Sequence, residues 1–133
     1  MTGNGPALAA KLGVREGMTL ALLEAPEELL IDLPAGVTVR RQARGHAEVV
    51  VAFFTARRRL EQRIAALGRM VFPAGGLWIA WPKRASGVSS DVDDHAVRAV
   101  ALPLGLVDNK LCAFDTTWTG LRLVWRRERR GDA

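Results

Sequence analysis

Between Met70 and Ser86 the chain reads MVFPAGGLWIAWPKRAS. Pro73, Gly75 and Gly76 make a turn signal, Leu77-Trp78-Ile79-Ala80-Trp81 is an unbroken apolar run, and Pro82 stops it before Lys83 and Arg84. An apolar run of this length, without alternation and bounded by turn residues, suits a strand buried on both faces. A helical pattern ends just upstream at Gly68. Helix, glycine turn and all-apolar strand together make half of a βαβ unit.

The rest of the chain extends that pattern. Pro6 to Leu12 reads as a short opening helix stopped by Gly13, and Met18 to Leu23 as a first strand. In Glu24-Ala25-Pro26-Glu27-Glu28-Leu29-Leu30-Ile31, Pro26 suits a first helical position and the acids suit the positive end of the helix dipole. A short helix is predicted there, ended by Pro34-Ala35-Gly36, with a second strand at Val37-Thr38-Val39 leading into Arg40, Arg41 and Arg44. Glu48 to Phe54 is a third apolar strand, and Leu60, Ile64 and Leu67 give helical spacing after it. Leu77 to Trp81 is the fourth strand. Ser90 with Asp93 resembles a capping box, and Val92, Ala96, Val97 and Val100 continue as a helix to Pro103 and Gly105. Leu106 to Phe114 and Leu121 to Trp125 read as strands joined by Asp115 to Gly120, short enough for an antiparallel hairpin.

Uniformly apolar strands alternating with helices imply an α/β domain: a small Rossmann-like, three-layer sandwich on a mostly parallel sheet of about six strands, with a C-terminal antiparallel hairpin. At 133 residues one domain is expected, spanning the whole chain with a frayed basic tail over residues 126–133. This signature, with its Pro-Gly-Gly turn before the fourth strand, resembles the class I methyltransferase sheet. The chain also resembles a family of short bacterial proteins known only as a domain of unknown function. The motifs that carry this are Trp78-Ile79-Ala80-Trp81-Pro82-Lys83 with Ser86-Gly87, Gly105-Leu106-Val107-Asp108-Asn109-Lys110, and Thr117-Trp118-Thr119-Gly120-Leu121-Arg122. Ser90-Asp91-Val92-Asp93-Asp94 departs from that family, whose members tend to have Thr-Asp-Leu followed by a hydroxyl residue and Glu. The resemblance implies a fold and leaves activity open.

Charge and cysteine usage exclude several classes. The net charge is +5 and the pI near 10.6, yet only Lys11, Lys83 and Lys110 among the 19 basic residues are lysines. That arginine bias, with abundant Ala, Gly, Leu and Val, matches GC-rich coding, and much of the excess sits at Arg126, Arg127, Arg129 and Arg130. Nucleic-acid binding through Arg40, Arg41, Arg57 to Arg59 and the tail is the weaker reading. The N-terminus lacks a basic region followed by a long apolar core, and Met70 to Pro82 is too short and too broken for a bilayer, so neither signal peptide nor membrane contact is expected. A single cysteine, Cys112, rules out an internal disulfide. A cytoplasmic protein follows. Exposed edge strands at the closing hairpin or near Val37 offer a homodimer edge without dictating one.

Cofactor-binding Rossmann-type folds place a glycine-rich turn after the first strand and an acid at the end of the second. Here the first turn contains no glycine, Pro26 lacks an amide donor, Glu27 and Glu28 would repel a phosphate, and Arg40 and Arg41 stand where the acid would be. No cofactor is therefore expected, although arginine forks suit a phosphate or another anion. The candidate ligand crevice is the edge where strand exits meet: Glu24, Arg41, Thr55, Trp81, Lys83, Ser86, Asp115 and Trp118. An acid, an amine and a hydroxyl framed by two indoles would hold a small polar or anionic ligand; otherwise Lys83 pairs with an acid, Ser86 turns its loop and the indoles pack the rim. No catalytic residue and no metal site stands out. His46 lies in a turn, His95 sits among Asp91, Asp93 and Asp94 near a helix start, and Cys112 reads as a buried small hydrophobe. The expectation is a non-catalytic, methyltransferase-like binding or interaction domain without a working methyl-donor site. The alternative is an enzyme or a small-anion or nucleotide binder using the crevice.

Overall fold

The computed structural model describes residues 5–130, with side chains from Leu8 to Arg129. The reading of the extreme N-terminus and the last residues of the basic tail lie outside these described residues. The elements are α1 (Gly5–Leu12), β1 (Thr19–Leu23), β2 (Thr38–Arg40), β3 (Val49–Phe53), α2 (Arg57–Val71), β4 (Gly76–Pro82), α3 (Asp94–Ala101), β5 (Leu106–Ala113), β6 (Trp118–Trp125) and α4 (Arg127–Arg130). The six strands form one sheet in the order β2-β1-β3-β4-β6-β5. Neighbours from β2 to β4 are parallel; β6 runs antiparallel between β4 and β5.

All seven residues of β4 are buried, because helices or packed chain cover both faces of the strand. Leu77, Ile79 and Trp81 enter a cluster beneath α2 and α3, which contribute Leu60, Ile64, Leu67 and Val97. Trp78 and Ala80 face the other way, toward Leu8 and Leu12 of α1. Alternate residues of β1 and β3 divide in the same manner: Ala21 and Val50 join the first cluster, Leu22 and Val51 the second.

Three local expectations are corrected. No helix forms between β1 and β2; residues 24–37 run as turns and extended chain. Leu29, Ile31 and Leu33 pack onto the α1-side cluster while Leu30 is 68% exposed, a period-two burial that belongs to extended backbone. Helix α2 does not stop at Gly68 but continues to Val71, since Gly68 is the small residue that lets Leu106 and Trp125 approach the helix (a Cβ there would stand 3.1 Å from Leu106 Cδ1). Ser90 is not the cap of α3. Its hydroxyl accepts from the Val92 amide at 3.0 Å, while Asp93 is the N-cap and accepts from Ala96 N–H at 2.8 Å. At the other end, Arg127 to Arg130 form a helical turn, and Arg129 donates to the Leu104 carbonyl at 3.2 Å.

Candidate functional site

The chain leaves β1 for β2 on one side and returns to β3 on the other, so the exits of β1 and β3 flank a topological switch point. Open α/β sheets bind ligands outside the carboxyl ends of the strands at such a point. Directly after β1, Glu24 has φ 62, the left-handed conformation usually left to glycine. The backbone therefore makes the tight turn that the missing glycines had argued against. The turn is closed by Leu29 N–H donating to Pro26 O at 3.2 Å; among the described residues the amides of Ala25 and Glu27 have no protein acceptor.

Because residues 24–37 are not helical, a hollow of about 430 Å³ opens beside this turn, between the exits of β1 and β2. That volume lies in the range of small-molecule sites, roughly 300–1,000 Å³. Leu22, Leu29, Ile31 and Leu33 supply apolar walls, and Glu27 and Arg41 are its charged groups. Arg41 was legible in the sequence; the apolar walls were not. Their signal was the alternation Leu29, Ile31, Leu33 in a stretch whose acids and proline had suggested a helix.

The other candidates disperse. Glu24 forms an ion pair with Arg59 at 3.7 Å, both side chains more than half exposed. The Thr55 carbonyl accepts from Asp91 N–H at 3.2 Å. Trp81 borders a second hollow of about 550 Å³ at the exit of β4, shared with Arg84, Ser90, Asp91 and Asp93. Lys83 continues the pairing of β4 with β6 through its amide, which donates to Thr117 O at 2.7 Å, and no ion pair involves its side chain among the described residues. Ser86 Oγ accepts from Val88 N–H at 3.2 Å, and Asp115 Oδ1 accepts from the amides of Thr117 and Trp118 at 2.8 and 2.7 Å, so both turn their own loops. Trp118 packs edge-on against Phe53 with ring centroids 5.2 Å apart. Pro82 is the register partner of Trp118, and Trp81 that of Thr119. The two indoles thus belong to opposite faces of the sheet and do not frame one pocket.

The acids near α3 are structural. Asp91 Oδ1 accepts from Arg57 N–H at 2.6 Å, and Asp94 pairs with Arg98 at 2.6 Å, which holds the Asp94 carboxyl below its ordinary range. Arg98 also reaches Asp108 at 3.1 Å and ties α3 to β5. Arg40 donates to the carbonyls of Arg44 and His46 at 2.8 and 3.0 Å, closing the loop before β3. Arg57 pairs with Glu61 at 3.1 Å. Cys112 is buried on the α1 side. No group of three or more His, Cys, Asp or Glu is placed to hold a metal ion among the described residues, and no described helix is long and apolar enough to cross a membrane.

Comparison with solved structures decides the fold family. Magnesium protoporphyrin IX methyltransferase (ChlM) from Synechocystis PCC 6803 with bound SAH aligns with a TM-score of 0.61 at 11% identity, covering 90% of this chain and 78% of that one. A SAM-dependent methyltransferase from Aquifex aeolicus gives 0.59 at 13% identity, covering 88% and 87%. ChlM with bound SAM gives 0.58 at 10% identity, covering 90% and 74%. The chain has a methyltransferase-like Rossmann fold. At these identities the likeness concerns the fold; no protein-family model and no curated protein sequence matches the chain.

The fold neighbours also correct the functional expectation. A non-catalytic domain without a methyl-donor site rested on a first turn too stiff for a ligand. The three structures compared are methyltransferases, one described as SAM-dependent and the two of ChlM holding SAH or SAM. The turn after β1 takes its left-handed bend through Glu24, with an open hollow beside Ala25. The enzyme or small-ligand alternative fits these observations better.

Proposed function

We propose that the chain is a small-ligand domain of enzymatic type whose ligand lies in the crevice at the carboxyl ends of β1 and β2. Its ligand class is nucleotide-like, with a largely apolar body and an anionic group. The observation that carries this reading is the hollow itself, apolar along Leu29, Ile31 and Leu33 and bearing Arg41 at the end of β2. Apolar walls with a few placed charges are the usual composition of a small-molecule site. Arg41 anchors the anion through its fork of donors, and Glu27 attracts any cationic group on the same ligand.

S-adenosylmethionine, the ligand of one neighbour, matches that class: its carboxylate would meet Arg41 and its ammonium Glu27. Arg41 stands where an acid would take ribose hydroxyls, so the anchor here is the anion rather than the diol. When bound, that molecule supplies a transferable methyl group. A phosphorylated nucleoside satisfies the same chemistry. The reading extends to a single domain, to the short bacterial family of unknown function that the motifs resemble, and to the cytoplasm, where such ligands abound.

Calorimetric titration with S-adenosylmethionine, S-adenosylhomocysteine, ATP and NADPH tests it, with adenosine as the anion-free control. At least one anionic ligand binds, adenosine binds about tenfold more weakly, and Arg41→Ala removes the difference, worth about 1.4 kcal/mol. Absence of binding by every anionic member, or equal affinity for adenosine, overturns the reading.

A further inference from the structure

The opposite edge of the sheet, where β1, β3 and β4 begin, holds a guanidinium without a partner among the described residues. Strand β6 sends Leu121 and Leu123 into the cluster beneath α2 and α3, so Arg122 between them faces the α1 side. There it lies over Gly76. A Cβ at that glycine would stand 2.5 Å from Arg122 Nε and 2.8 Å from Cζ, so the guanidinium rests against the open face of Gly76 and would have to move aside for a larger residue. Among the described residues Arg122 has no ion pair and donates no hydrogen bond, although it is half-buried and burial pushes its pKa below the usual arginine value. The other arginines close to an acid or a carbonyl are satisfied by it, as Arg40, Arg98 and Arg129 show.

Two hollows meet at this side chain. One, of about 350 Å³, is shared by Arg15, His46, Glu48, Gly75 and Arg122. The other, of about 250 Å³, is shared by Lys11, Asn109, Lys110 and Arg122. Glu48 is the acid here; its Oε1 accepts the Thr19 amide at 2.7 Å, and its carboxylate keeps a negative charge that offsets one of the two arginines lining the same hollow. Lys110 is engaged with the Lys11 carbonyl at 3.0 Å. Among the described residues the side-chain donors of Arg122 and Arg15 have no partner, and both line the hollow.

Withdrawing a charge from water without a partner costs free energy, and removing such a group restores it. A chain that keeps one half-buried beside two hollows holds a group suited to a partner from outside. We propose that Arg122, flanked by Arg15, binds an oxyanion (a phosphate or carboxylate of a small molecule) at the amino-terminal edge of the sheet. This site is separate from the crevice at the carboxyl ends, which is anchored by Arg41. The planar fork of Arg122 suits two oxygens of one anion, and Arg15 adds long-range attraction.

The test is chemical denaturation of the whole chain in buffers of equal ionic strength containing chloride, inorganic phosphate or acetate. Phosphate or acetate raises the urea midpoint of the wild-type chain above its value in chloride. Arg122→Met keeps the stem, equals or exceeds the wild-type midpoint in chloride, and loses the anion-dependent rise. Arg15→Gln leaves the chloride midpoint unchanged and weakens anion affinity several-fold. In an Arg41→Ala background the part of the rise that Arg122→Met abolishes persists, which separates this site from the crevice; phosphate and acetate arms separate the two anion classes. The proposal is overturned if Arg122→Met lowers the chloride midpoint, if that variant retains the anion effect, or if neither anion exceeds chloride on the wild-type chain.

Discussion

Trp78 shows how much one residue can tie together. It is fully buried on the α1 side of β4, donates its indole N–H to the Leu12 carbonyl at 3.0 Å, and meets Phe114 edge-on at 5.7 Å. Trp78→Phe keeps an aromatic ring but leaves that carbonyl at the end of α1 unpaired and the site underfilled. The expected loss is about 2 kcal/mol, read as a fall in urea-unfolding free energy. Gly120 faces the same cluster from the neighbouring strand, and a Cβ there would stand 2.7 Å from Phe114 Cζ. Gly120→Ala overpacks this contact and is expected to cost about 1–3 kcal/mol by the same measurement. Glu48 gives a pH signature. Its carboxylate accepts the Thr19 amide, which holds its pKa below the ordinary 4.5. A depressed folded pKa means stability that is present above the unfolded value and lost as the pH falls through the folded one. Wild-type urea midpoints therefore drop between about pH 5 and about pH 3, and Glu48→Gln makes that drop shallower. An unchanged slope removes Glu48 from the account.

At the level of elements, the exit loop of β4 supplies a cap from a distance. Helix α2 begins after Ala56, which supplies no side-chain cap of its own. Asp91 stands in for it, accepting from Arg57 N–H at 2.6 Å while its own amide donates to Thr55 O. Asp91→Ala is expected to cost about 1 kcal/mol and to speed hydrogen exchange in the first turn of α2, leaving α3 protected. Exchange unchanged in that turn would show that water replaces the carboxylate at no cost. The segment from Glu24 to Gly36 teaches the converse. Proline at a first-turn position and acids behind it are sound helix signals, yet the chain stays extended because Leu29, Ile31 and Leu33 reach the α1-side cluster only at period two. A helix would also have covered the exit of β1; its absence opens the hollow.

For the molecule as a whole, two apolar clusters share the strands of one sheet, with alternate residues of β1, β3 and β4 committed to each. Neither cluster can come apart without exposing the back of the other. A single cooperative unfolding transition is therefore expected, with tryptophan fluorescence and far-ultraviolet circular dichroism giving coincident urea curves. Two separated transitions would divide the chain into independent units.

What the amino-acid order determined by itself was the layering. Unbroken apolar runs at Val49 to Phe54 and Leu77 to Trp81 admit no environment except the inside of a covered sheet, and glycine and proline punctuation set where they begin and end. Strand pairing, face and loop shape were decided by tertiary structure. Trp81 and Trp118 look like a frame when read along the chain, but hairpin register turns them to opposite faces, since one position of offset inverts a side chain. Glu24 bends through a left-handed conformation that composition argues against, because packing of the following segment outweighs a local preference of about 1 kcal/mol. The guanidinium of Arg122 has no sequence signature at all: only the fold brings Gly76 beneath it and leaves its donors without a partner among the described residues.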